Sequence, residues 1–191
     1  MARNDVTTDQ DDTQAPTLGL AALIECLLFV AGRPLAVNEL GRVLATPAAA
    51  VRAAIEELAA HDNGRGLMVQ RFGDQVQLVT HPAASSLVQR FLGTEKRSPL
   101  RKAELETLAL IAYRQPVTRA ELEAVRGVSC DRPLAQLLAR SLIEVTGRRE
   151  TPGRPYIYAT TMEFLETFGL RSLEELPPIE ADDDGFALAR E

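Results

Sequence analysis

The chain has 191 residues, of which 46% are hydrophobic and 25% charged, with a formal net charge of −6. That composition is globular, with room for one domain or two small ones. It argues against a membrane span, because the longest apolar run, Leu18 to Gly32, is broken by Glu25 and is too short to cross a bilayer.

Most of the acidity sits at the ends. Residues 1–17 hold Arg3 against Asp5, Asp9, Asp11 and Asp12, and residues 177–191 hold Arg190 against Glu180, Asp182, Asp183, Asp184 and Glu191. Without them the chain carries 19 basic and 18 acidic residues, a near-neutral body that lacks the basic surplus of a phosphate-binding protein. Residues 1–17 are polar and acidic with almost nothing to bury, so they read as a disordered tail and not as a signal peptide.

Order begins near Leu18. Leu20, Leu23, Ile24, Leu27, Leu28 and Ala31 recur at helical spacing until Gly32 and Pro34. A second helix carries Leu40, Val43 and Leu44. A third, capped by Thr46 with Pro47 at its first position, buries Val51, Ala54, Ile55 and Leu58. Leu67 to Phe72 and Gln75 to Thr80 read as strands around Gly73-Asp74, a two-residue hairpin turn. A helix with Leu87, Val88, Phe91 and Leu92 closes this first domain, residues 18–93, and residues 94–101 read as a linker.

The plan then repeats over residues 102–178. A helix with Leu105, Leu108, Ala109 and Ala112 on its apolar face ends at Gln115-Pro116, and a second starts at Thr118 and stops at Gly127. A third, capped by Ser129 or Asp131, buries Leu134, Leu137, Leu138 and Leu142. Ile143 to Gly147 and Tyr156 to Thr160 form a second hairpin around a proline-rich loop. Met162, Phe164, Leu165 and Phe168 make a short helix, Ser172 and Glu175 form a capping box, and the acidic residues 179–191 read as disordered. Setting Pro34 on Pro116, an offset of 82, also sets Glu39-Leu40 on Glu121-Leu122. The fold expected is therefore mainly α, with two tandem winged helix-turn-helix domains, each a three-helix core with a two-stranded β wing. Each domain has only about 75 residues, a size at which stability is modest and self-association has a physical motive.

No catalytic or metal constellation is evident. Cys26 and Cys130 are far apart and read as buried or semi-buried thiols, and His61 and His81 fall at a helix end and a strand exit. The loop from Thr151 to Pro155 lacks the Gly-Lys-Ser/Thr ending of a phosphate-binding loop. In the first domain Arg52 stands against Glu56, Glu57 and Asp62 on the third helix; in the second, Arg132, Gln136 and Arg140, with Arg148, Arg149 and Arg154 in the wing, suit DNA better.

The run Leu105 to Leu122, with Arg126-Gly127-Val128, Gly153-Arg154-Pro155-Tyr156-Ile157-Tyr158-Ala159-Thr160-Thr161 and Phe164 to Leu170, closely resembles the segregation and condensation protein B family. In the first domain Glu25-Cys26-Leu27-Leu28-Phe29 and Gly32-Arg33-Pro34-Leu35 carry the resemblance. It departs from the family pattern at Ser129-Cys130-Asp131-Arg132-Pro133. The resemblance implies a non-enzymatic, cofactor-free cytoplasmic adaptor, nucleoid-associated through its complex. Such an adaptor dimerises chiefly through the first domain and binds the kleisin subunit that bridges a structural-maintenance-of-chromosomes (SMC) ATPase, with DNA contact indirect or weak. The alternative is a winged-helix transcription regulator. For the kleisin surface, the second domain offers Tyr113, Thr118, Arg119, Arg126, Arg154, Tyr156 and Tyr158, polar or amphipathic residues in or beside its familial turns and wing.

Overall fold

The computed structural model describes residues 18–61, 64–93 and 98–178, so the expectations for both tails and for the first half of the linker lie outside the described residues. The first domain runs α1 (Leu20–Ala31), β1 (Leu35–Ala36), α2 (Val37–Val43), α3 (Ala48–Ala60), β2 (Leu67–Phe72), β3 (Gln75–Thr80) and, after a 3-10 turn at Pro82–Ala84, α4 (Ser85–Leu92). The second runs α5 (Lys102–Arg114), β4 (Val117–Thr118), α6 (Arg119–Arg126), α7 (Asp131–Ala139), β5 (Ile143–Arg148), β6 (Tyr156–Thr160) and α8 (Met162–Phe168), closing on a 3-10 turn at Leu173–Glu175. This is the tandem winged-helix order read from the sequence.

The sheets have three strands and not two, in the orders β1-β3-β2 and β4-β6-β5. The extra strand is the two-residue entry to each second helix: Leu35 and Ala36 pair with Val76 and Gln75, and Val117 and Thr118 with Tyr158 and Ile157. Two residues are too few to show an alternating pattern in sequence. Two cores result. Ile24, Leu28, Leu40, Val51, Ile55, Val69 and Val76 fill the first. Leu108, Ile111, Leu122, Leu134, Leu137, Ile143 and Leu165 fill the second, together with buried Cys130.

Several local expectations are corrected. Leu105, Leu138 and Val43 are exposed, and α5 buries Thr107, Leu108, Leu110 and Ile111 instead. Helix α3 starts after Pro47, and the Thr46 hydroxyl donates to the Leu44 carbonyl without capping the helix. Cys130 is the N-cap of α7 with no side-chain cap, while the Ser129 hydroxyl accepts from the Asp131 amide. In place of a capping box with Ser172, the Glu175 carboxylate accepts from the Arg171 amide. Cys26 is exposed, and α4 buries none of its residues. His61 and His81 do lie at the end of α3 and the exit of β3.

The β2–β3 hairpin has two covered faces. Val69 and Val76 enter the first core, whereas Met68, Gln70 and Gln77 are also buried. Gln70 and Gln77 sit opposite one another in register. The Gln77 amide donates to Gln70 Oε1 at 2.9 Å and to Glu166 Oε1 at 2.6 Å, and the Gln70 amide donates to the Leu170 carbonyl at 2.7 Å. Beside them the Arg71 N–H donates to the Arg171 carbonyl at 2.7 Å, and Phe72 packs on the second core. The approach is close enough that Gly169, at φ +67°, has no room for a Cβ, which would stand 2.8 Å from Pro82 Cγ. The first wing is thus the docking face for α8 and the turn after it.

Candidate partner-binding site

The seven residues singled out in the second domain do not form one surface. Thr118 is buried: its hydroxyl accepts from the Glu121 N–H at 3.3 Å, and Glu121 Oε2 accepts from the Thr118 N–H at 2.7 Å, a reciprocal cap at the start of α6. Arg126 is also occupied, its guanidinium donating to Glu106 at 2.9 Å and lying 3.7 Å from Cys130 Sγ, with its side chain only 9% exposed. Both residues are therefore structural and leave the partner surface. The Tyr113 hydroxyl donates to the Pro177 carbonyl at 2.6 Å, fastening the chain after Leu173–Glu175 to the end of α5.

Arg119, Tyr158, Tyr156 and Arg154 do share one outer surface, built by the starts of α6 and α7 and by the second wing. Arg119, at the start of α6, donates to Glu123 at 2.8 Å and pairs with Asp131, the first residue of α7. Burial pushes the half-buried Tyr158 phenol above its usual range, and the nearby Arg119 charge opposes that rise. Tyr156 lies two residues along β6, so both rings project from the same side of the strand. Arg148 is paired with it across the ladder; its guanidinium stacks 4.3 Å from the Tyr156 ring centroid and donates to the phenol oxygen at 2.8 Å. Arg148 also reaches the Arg154 carbonyl at 3.5 Å, tying the wing tip to the same ridge.

Asp131 and Arg148 complete this ridge and were not among the sequence candidates for it. The in-register pairing of Arg148 with Tyr156 is a signal that the hairpin turn alone could not fix, because eight residues separate them and β5 carries an irregularity between Val145 and Gly147. Glu121 and Glu123 stiffen the base. Burial raises the Glu121 carboxyl, but hydrogen bonds from Thr118 and the Arg149 charge outweigh it and leave the group below its usual range. Glu123 is lowered by the Cys130 N–H and by Arg119.

For DNA the geometry is poor. The first wing is covered, Arg52 pairs with Asp74, and Glu56 with Arg71. In the second domain Arg140 donates to the Ser98 carbonyl at 2.7 Å, and Arg149 is held by Glu121 and the Pro116 carbonyl. Among the described residues no group of three His, Cys, Asp or Glu is placed to hold a metal, and no helix is long and apolar enough to cross a membrane.

Fold and ridge together define a class: a tandem winged-helix protein with one wing docked internally and one presented outward. The family model described as segregation and condensation complex subunit ScpB matches residues 22–179, and the chain belongs to that family. Segregation and condensation protein B of Desulforamulus reducens is 46% identical over 159 residues, 82% of this chain and 87% of the relative. Among solved structures, ScpB from Mycobacterium tuberculosis is 36% identical over 79% of this chain and 95% of its own, with a TM-score of 0.39. A dimer of an ScpB N-terminal domain complexed with an ScpA peptide is 27% identical, covers 37% of this chain and 91% of its own, and has a TM-score of 0.35. By its family this chain is an adaptor subunit associated with the condensin complex.

Proposed function

We propose that this chain is a non-catalytic, cofactor-free adaptor that works as a homodimer, held by residues 18–93, and captures the kleisin subunit of an SMC complex through residues 102–178. Through the kleisin it joins the SMC ATPase on the nucleoid in the cytoplasm and supports chromosome compaction and segregation. DNA contact in this reading is indirect or weak. The observation that carries the kleisin assignment is the ridge of Arg119, Tyr156, Arg148 and Arg154, with Tyr158 half-buried at its base against the second core, in which the paired aromatic and guanidinium groups are preset by Asp131 and by the Arg148–Tyr156 stack. Rigid aromatic and arginine anchors beside an accessible strand suit a segment that becomes ordered on binding.

Calorimetry of the full chain against the central region of the kleisin tests it. Tyr156→Ala with Tyr158→Ala is expected to weaken binding about tenfold or more, equivalent to about 1.4 kcal/mol. Phe91→Ser is the control, because the bare Phe91 ring is the rival anchor in the first domain. If the tyrosine pair leaves affinity within about twofold, or Phe91→Ser alone abolishes binding, the second-domain assignment is wrong.

A further inference from the structure

The second wing carries charge that the folded body does not answer. Arg119 is paired with Glu123 and Asp131, and Arg149 with Glu121. Arg148 and Arg154 are both exposed and reach no carboxylate among the described residues; Arg148 donates to the Tyr156 phenol and the Arg154 carbonyl. The tip that holds them is closed by the Arg149 N–H on the Pro155 carbonyl and the Arg154 N–H on the Thr151 carbonyl, each at 2.9 Å. The same face is partly apolar. Val145 pairs with Tyr158 and Arg148 with Tyr156, and the irregularity between Val145 and Gly147 brings both β5 residues onto the side of the two rings. Val145 is 42% and Tyr156 48% exposed. Two unanswered guanidinium groups beside an open valine and tyrosine suit a ligand that is acidic and apolar at once.

We propose that this ligand is the chain's own segment after Pro178, docked in cis on the second wing. Asp182-Asp183-Asp184 lie against Arg148 and Arg154, and Phe186 and Leu188 cover Tyr156 and Val145. The segment has the chemistry: three carboxylates in a row and then, after one glycine, Phe186-Ala187-Leu188. It also starts in the right place. The Tyr113 hydroxyl holds Pro177 at the end of α5, and Val117, four residues further on, pairs with Tyr158. That path spans roughly 30 Å at most, while the thirteen residues from Ile179 to Glu191 extend to roughly 43 Å. The rivals fit less well. Residues 1–17 are also acidic but bring no aromatic residue and join at the first domain, and the bare stripe of α4 offers Leu87, Phe91 and Leu92 with a single basic neighbour, Arg90.

A tether of this length holds the segment at an effective concentration in the millimolar range, so that a contact of only ~1 mM affinity is largely made. The docked segment covers the groups assigned above to the kleisin. That consequence, unlike the docking, rests on the kleisin reading: the tail is a built-in competitor, and the kleisin's apparent affinity falls with the fraction of the ridge left open.

The chain has no Trp, so Phe186→Trp in the full chain places its single indole in the segment. Expected are blue-shifted emission and protection from acrylamide, both independent of protein concentration and both lost on Arg148→Glu or Arg154→Glu with circular dichroism unchanged. Both should also weaken at about 1 M salt, where the Debye length is about 3 Å. An indole quenched as fully as in a peptide of residues 179–191 overturns the proposal, as does protection that survives both charge reversals or is lost on Phe91→Ser. Protection that grows with concentration places the segment on another molecule and overturns it too. In calorimetry of the full chain against the central region of the kleisin, Asp182→Asn, Asp183→Asn and Asp184→Asn together should tighten binding at least about threefold. A protected indole with unchanged kleisin affinity upholds the docking and overturns the kleisin assignment of the ridge.

Discussion

In the first domain the hairpin β2–β3 lies between its own helices and α8 of the second, so that Met68, Val69 and Gln70, three residues in a row, are all buried. In the second domain the hairpin β5–β6 has one covered side, and Glu144, Val145 and Thr146 stand in solvent. The helices that follow the hairpins differ in the same sense: α8 buries Phe164 and Leu165, whereas α4 buries nothing and leaves Phe91 86% exposed. One topology therefore serves two ends. The first domain gives its wing to its neighbour and leaves its last helix bare; the second covers its last helix and presents its wing.

Offset by 82 residues, Leu40 and Leu122 occupy equivalent places and are each 1% exposed. Leu40→Ala and Leu122→Ala should have the largest effects on stability, each costing about 2–5 kcal/mol in urea unfolding. A loss below about 1 kcal/mol at either position would break the equivalence of the two cores.

The seam between the domains comes next. Gln77→Ala removes the donor shared by Gln70 and Glu166 and leaves the buried Gln70 carbonyl oxygen without that partner. The expected cost is about 1–3 kcal/mol. Because the lost contact to Glu166 crosses the seam, the two domains should also unfold in separable steps in calorimetry; a single unshifted transition would show that Gln77 does not hold the domains together.

The helix starts sharpen the comparison in opposite directions. Thr118→Ala should destabilise the second domain by about 1 kcal/mol, since it removes half of a reciprocal cap. The equivalent residue in the first domain is Ala36, at the start of α2, where the Glu39 carboxylate already accepts from the Ala36 backbone but no side-chain cap answers it. Ala36→Thr supplies the missing hydroxyl and should stabilise by about 0.5 kcal/mol or more, read as a raised Tm.

These residues also show what the sequence makes legible. Hairpin turns and glycine stops are local, so Gly73-Asp74 and Gly127 fall where their chemistry places them. The Thr118-to-Glu121 spacing is equally local, yet nothing in it says that Thr118 is buried, and a polar residue beside a familial turn reads as partner surface until the packing is known. Periodicity places the apolar stripe of α4 without saying whether anything covers it. Gln70 and Gln77 look like solvent-facing positions of alternating strands, and only the packing of α8 turns them inward. Arg126 fails as a surface candidate for the same reason: its partner Glu106 lies 20 residues away on another helix.

The smallest expected difference is the response to acid. Glu121 and Glu123 at the base of the second wing both have folded pKa values below the usual carboxylate range, and so does Glu174 in the closing turn, through Ser172, its own backbone and Arg71. In the first domain Glu39 is lowered by Arg33. A carboxyl depressed on folding adds stability that is fully present above its unfolded pKa, about 4.3 for Glu, and is lost as pH falls through the lower folded value. The second domain holds more such groups, so it should weaken first on acidification below about pH 4. The effect is modest because these carboxylates stand near the surface, where solvent and salt screen them. The protein reports on this directly: it has no Trp, and its three tyrosines, Tyr113, Tyr156 and Tyr158, all lie in the second domain. Near-ultraviolet tyrosine dichroism should therefore decline at a higher pH than the amide protection of Val69 and Val76 in the first core, and Glu123→Gln should narrow the gap. Coincident loss of both signals would mean that the seam couples the domains more strongly than their separate carboxylates divide them.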